Sequence, residues 1–172
     1  MDENKFNQAK INFNKYLADE LLTKTKFNQN IFNKFEQNSI ESLEVANKLL
    51  NNKTSSLWVI VSSYYAMFYI ASAYVYKKGY KTQGIIVHKV MVDTLIHLAK
   101  NDLTKKMIED YEEEKDKALS IAETLLDSFE LERGKRGRIQ YNMTEEVKEA
   151  KARTSLKRAK DFVNVFRTLI EQ

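Results

Sequence analysis

Between Arg133 and Met143 the chain reads RGKRGRIQYNM. Arg133, Lys135, Arg136 and Arg138 supply positive charge, Gly134 and Gly137 stand between them, and Tyr141 follows. A guanidinium offers planar, bidentate contacts to phosphate, and a tyrosine ring can stack on a base. Glycine lets the backbone approach a ligand closely. The stretch reads equally well as a phosphate-binding loop for RNA or a nucleotide and as a basic helix end followed by an ordinary turn.

Other chemistry has less to work with. There are two histidines, His88 and His97, and no cysteine. Thiolate metal sites and disulfides are therefore excluded. Asp93 and His97 lie four apart and would share a helix face, which is minimal metal geometry. No HExxH or EF-hand spacing accompanies them. The run EDYEEEKD at 109–116 carries six acids against one lysine. Glu109, Glu112, Glu113 and Glu123 read as a solvated face, since a paired-carboxylate metal site needs an ExxH that is missing. No GxSxG nucleophile elbow is present. No metal and no cofactor are expected.

These residues must be positioned by helices. The chain has 172 residues, four glycines and no proline, so long stretches lack the usual helix breakers. Thr54–Tyr76 holds no charge and includes Tyr64, Tyr65, Tyr69, Tyr74 and Tyr76. Its length suits a membrane span. Its serines, and tyrosines spread through the middle instead of at two interfaces, argue for the central helix of a bundle. Val61, Tyr64, Phe68, Ala71 and Val75 form one stripe at helical spacing. Ser62, Tyr65, Tyr69, Ser72 and Tyr76 form another, with a hydroxyl at every position. Each buried hydroxyl needs a partner, so this stripe lines a cleft or a subunit interface, or packs against the polar edge of a neighbouring helix.

Periodicity predicts further helices. The first spans 5–25 with Phe6, Ala9, Phe13, Tyr16 and Leu21 or Leu22 as anchors. The second spans about 28–51, with Ile40, Leu43, Ala46, Leu49 and Leu50 inward. After the central helix ends at Gly79, a loop GYKTQG leads to a helix over about 85–100. A long helix to about 132 follows, capped by Asp102 or Thr104. Thr144 caps the last, whose inward face carries Val147, Ala150, Ala159, Phe162, Val163, Phe166, Leu169 and Ile170. The expected fold is all-α: an up-and-down bundle of four core helices with an N-terminal helical extension, in one domain over 1–172. The start, MDENKFNQAK, lacks an apolar signal core, and a cytoplasmic location is expected.

Ser63-Tyr64-Tyr65-Ala66-Met67-Phe68, then Lys78-Gly79-Tyr80 and His88, resembles the HEPN domain family, in particular its small prokaryotic members with a YYAMF…KG…H pattern. Arg138 with Tyr141, and Ala159-Lys160-Asp161-Phe162-Val163, are similar to the stretch before the last helix and to the closing helix of those members. The likeness covers residues 37–171 and leaves 1–36 as the extension. It implies a dimerising helical bundle. Many members are metal-independent endoribonucleases that use Arg-x4–6-His; several are toxins paired with a nucleotidyltransferase, and others bind RNA or nucleotides without catalysis. Arg138 matches the arginine, but no histidine follows it, since both precede residue 98. The resemblance thus implies an RNA- or nucleotide-binding protein, catalytically degenerate or the partner of a nucleotidyltransferase. The alternatives are an active ribonuclease pairing Arg138 with His88 brought in by the fold, and a structural bundle that binds other helices.

Overall fold

A computed structural model describes residues 3–84, 86–99, 103–134 and 145–172, without the side chains of 124–134 and 145–147. The fold is all-α apart from one short two-stranded sheet. The elements are α1 (Glu3–Ala18), β1 (Leu22–Lys24), α2 (Gln29–Asn51), α3 (Ser56–Lys77), β2 (Tyr80–Thr82), α4 (Val87–Leu98), α5 (Lys105–Gly134) and α6 (Glu145–Glu171).

Local chemistry sets most of the ends. The Asn28 side chain accepts from the backbone N–H of Asn30 and Ile31 and starts α2. Ser55, not Thr54, caps α3, with its Oγ 3.3 Å from the Trp58 N–H. Thr104 Oγ1 accepts from Met107 N–H at the start of α5. Each satisfies a donor that the first helical turn leaves unpaired. Gly79 takes a left-handed φ of 86° and turns the chain out of α3, as expected of glycine just beyond a helix end. Asp102 and Thr144 lie outside the described residues.

The first helix is shorter than its apolar pattern predicts. It ends at Ala18, Glu20 turns through a left-handed φ of 57°, and Leu22–Lys24 pairs antiparallel with Tyr80–Thr82. Leu22 is fully buried from this strand. The GYKTQG loop therefore contains β2, and the backbone N–H groups of Thr25 and Gln83 extend the pairing to Gly79 and Leu21. Three alternating residues are too few to register as a strand against a helix-length pattern.

Helix α3 is the axis of the molecule. Among the described residues it is the one helix long and apolar enough to cross a membrane, and the other elements bury most of it. Helix α2 packs along it with Ser39 donating to the Ala66 carbonyl (2.8 Å). Ile40, expected inward, is exposed, and Ser39 takes the inward position beside it. A serine fits where two backbones approach closely and its hydroxyl finds a carbonyl. Phe166 of α6 meets Tyr74 edge to face, and Lys77 donates to the Ile170 carbonyl. On α6, Ala152, Ser155 and Leu156 face inward while Ala150 is exposed. Leu125, Leu126, Phe129 and Val147 fall outside the described side chains.

Helix α1 packs on α4. Asp93 accepts from the Tyr16 hydroxyl (2.7 Å) and the Asn12 amide (3.0 Å). The His97 ring lies 4.3 Å from that of Phe13, and its Nδ1 is buried without a hydrogen-bond partner. Burial, then the nearby Lys10, lowers the His97 pKa below its ordinary 6.5. The unfolded chain therefore binds more protons in this range, and the stabilising term is complete above pH 6.5 and lost in acid.

Helices α5 and α6 are joined by charge as well as by apolar contacts such as Tyr111 on Phe162. The Arg158 guanidinium bridges Asp110 (2.9 Å), Glu113 (3.0 Å) and the fully buried Glu114 (2.7 Å). Lys117 reaches Glu113 and Glu114 as well. The acidic run is thus not merely a solvated face, because a cation on the facing helix draws part of it inward.

Two stability outcomes are expected. Arg158→Ala should cost about 1–3 kcal/mol in urea unfolding by leaving Glu114 with Lys117 alone, and adding Glu114→Gln should recover part of it. His97→Phe should flatten the loss of unfolding midpoint as pH falls below 6.5, leaving a residual slope from His88, whose pKa is also lowered. An unchanged acid slope in His97→Phe would assign the effect elsewhere.

Candidate functional site

Tyr64 sits on the buried side of α3, and His88 is in the first turn of α4. The fold brings them together, with the Tyr64 hydroxyl 2.6 Å from His88 Nδ1. Phe68 and Tyr65 wall the imidazole, with ring centroids at 4.8 and 6.2 Å. Tyr111 of α5 closes the floor at 5.8 Å from the Tyr64 ring. Burial, then Lys115, lowers the His88 pKa, and burial raises that of Tyr64. At neutral pH both groups are uncharged. With the proton on Nε2, Nδ1 accepts from the Tyr64 O–H. The pair can hold a neutral imidazole in fixed orientation; it is not a preformed cationic site.

The hydroxyl stripe divides into two. Ser62, Tyr65 and Tyr69 are half-buried and line an open groove of about 430 Å³ between α2 and α3, beside Trp58 and Val45. Ser72 and Tyr76 are buried and satisfied internally. The Ser72 hydroxyl donates to the Phe68 carbonyl (2.8 Å) and the Tyr76 hydroxyl to the Lys26 carbonyl (3.1 Å). The groove half can meet a ligand or partner, and the buried half serves packing.

Arg133 is the penultimate residue of α5, with its side chain outside those described. Lys135, Arg136, Arg138 and Tyr141 lie outside the described residues. Helix α5 carries its end away from the imidazole, since the 23 steps from Tyr111 to Gly134 span roughly 35 Å of helix. Asp93 and His97 share one face of α4, but Asp93 is engaged by Tyr16 and Asn12 while His97 packs on Phe13. Among the described residues no three metal-ligating side chains gather.

Sequence reasoning missed a cleft of about 480 Å³ at the start of α3. Thr54, Ser55, Ser56, Leu57 and Ile60 line it from the start of α3, Lys117, Ser120 and Ile121 from α5, and Lys148 and Lys151 from α6. In the sequence Thr54 or Ser55 reads as the cap of the central helix, and Lys117, Lys148 and Lys151 draw no attention. The available signal was the three-residue spacing of Lys148 and Lys151, which places both on one face of α6.

A double-mutant cycle on Tyr64→Phe and His88→Ala should give a coupling of about 1 kcal/mol, and the His88 titration followed by NMR should fall below 6.5. No coupling would mean the 2.6 Å contact is energetically idle.

Comparison of the chain with protein-family models gives no match, and a search of curated proteins gives none either.

Proposed function

We propose that this chain is a HEPN-like protein that binds RNA or a nucleotide-bearing partner through residues 133–141, without cleaving it. In this reading α2, α3, α5 and α6 are the four-helix up-and-down core, α1 belongs to the N-terminal extension, and the protein works in the cytoplasm. Arg138 holds a phosphate, Arg133, Lys135 and Arg136 add charge, and Tyr141 stacks or hydrogen-bonds. The partner is a nucleotidyltransferase of a toxin–antitoxin or defence pair. A second copy covers the exposed side of α3, where Trp58 is 50% exposed beside Tyr65 and Tyr69.

The observation that carries this reading is the Tyr64–His88 contact. Two residues of the resemblance, from separate helices, meet at hydrogen-bond distance, so the motif has a structural reason to recur as a unit. The same contact favours binding over catalysis. Its imidazole is neutral, walled by aromatic rings and bonded to a core tyrosine. It also lies by Tyr111, from which α5 runs roughly 35 Å to Gly134.

Fluorescence anisotropy with a single-stranded RNA tests the assignment. Arg136→Ala/Arg138→Ala should weaken binding at least about tenfold and reduce the salt slope by about 0.7 for each phosphate that the variant no longer neutralises. Unchanged affinity overturns it. RNA cleavage in chelator that disappears in His88→Ala would replace it with the active-nuclease reading.

A further inference from the structure

From the cleft at the α3 start we infer a second site, one that takes the 5′-phosphate end of a nucleotide. It is built from residues outside 133–141 and does not depend on the preceding reading.

The cleft is about 480 Å³, within the roughly 300–1,000 Å³ typical of small-molecule sites. Its chemistry is divided. Leu57, Ile60 and Ile121 make an apolar lining, with Ile60 and Ile121 only 7% and 6% exposed. Lys117 of α5 and Lys148 and Lys151 of α6 converge on the same space from two helices. A flat apolar group with a polyanionic end matches this division; a purely hydrophobic ligand would leave three ammonium groups facing it.

The start of α3 adds to the lysines. Ser55 Oγ already accepts from Trp58 N–H, so the cap itself is occupied. The N–H groups of the residues between them, Ser56 and Leu57, belong to the first turn, where no intrahelical carbonyl is in reach. The Thr54 and Ser56 hydroxyls stand beside them. A phosphate there would meet N–H and O–H donors on one side and ammonium groups on the other.

The lysines are not idle charge. Lys117 is shared with Glu113 and Glu114, and Lys148 and Lys151 each have an interaction of their own. An entering phosphate must share or displace those contacts, so the site should be modest in affinity and sensitive to salt. Glu149, which lines an adjoining pocket with Ser56, is engaged by Arg153.

Trp58, the only tryptophan, lies two residues from Ser56 and reports binding by fluorescence. ATP in magnesium-free buffer is the probe, with inorganic tripolyphosphate, adenosine and a 5′-phosphorylated ribodinucleotide as competitors. Saturable ATP binding is expected, displaced by tripolyphosphate and not by adenosine at equal concentration. Displacement by the dinucleotide would identify an RNA 5′ end as an acceptable source of the phosphate; its failure would restrict the site to free nucleotides. Lys148→Ala/Lys151→Ala should weaken ATP at least about tenfold. Ser56→Asp should do the same while favouring the helix start, since a carboxylate suits that end of the dipole. ATP binding that is lost in Arg136→Ala/Arg138→Ala but kept in Lys148→Ala/Lys151→Ala would belong to the 133–141 loop and would overturn the assignment to the cleft. The inference is overturned if the wild-type protein shows no saturable ATP binding, or if both cleft variants bind like wild type.

Discussion

Everything in this fold answers to one constraint: α3 is a long helix, uncharged until Lys77 at its end, that carries hydroxyls into its own apolar surroundings. Burying it removes a large apolar area from water, which is the main favourable term available to the chain. Burying its tyrosines also demands partners for their hydroxyls. Three of them reach three separate points on two neighbouring segments. Tyr64 meets His88 at the start of α4, Tyr74 meets the Leu98 carbonyl at its end, and Tyr76 meets the Lys26 carbonyl ahead of α2. Each ring fills core volume and each hydroxyl fixes where a neighbouring segment must lie. The tyrosines therefore specify arrangement as well as supplying burial.

The α5–α6 contact works on a different principle. Tyr111 stacks on Phe162 at 5.2 Å and Ile121 shares an apolar cluster with Ala152 and Leu156, and beside them Arg158 and Lys117 sit among Asp110, Glu113 and Glu114. Arg158, then Lys117, hold the Glu113 carboxyl down to about 2. Removing charges from water is expensive, and such a network is favourable only when each member is paired. Glu114 Oε2 and the Ser155 hydroxyl remain buried without hydrogen-bond partners. The seam is thus specific but not fully satisfied, in contrast to the tyrosine contacts on the other side of α3.

Much of this was legible in the sequence, for identifiable reasons. The all-α class follows from the absence of proline and the periodic apolar positions, and α2 and α3 begin and end within a residue or two of their caps. What failed was anything depending on a facing element. The strand at Leu22–Lys24 exists because Tyr80–Thr82 is there to pair with it. Glu114 is buried because Arg158 faces it, and Ile40 is exposed because Ser39 can approach α3 more closely. The site was legible in part. The Tyr64 and His88 positions drew attention through their spelling, but their direct contact did not follow from a separation of 24 residues. The lysine cleft was invisible because its members come from three helices, and no linear pattern joins them.

The small sheet changes what the first thirty-six residues are. They look like an attachment, since the likeness to known spelling begins after them. Yet β1 supplies Leu22 to the core, the Leu21 carbonyl accepts from Gln83, and the Lys26 carbonyl receives Tyr76. The ring of Phe13 also meets Tyr80 beyond the far end of α3. A chain shortened to begin at residue 37 would keep every recognisable motif and lose the strap that binds the open end of the α2–α3 hairpin. In modular terms the extension is stitched in: it cannot be exchanged or trimmed as a tag can, because the bundle's own hydrogen bonds end on it.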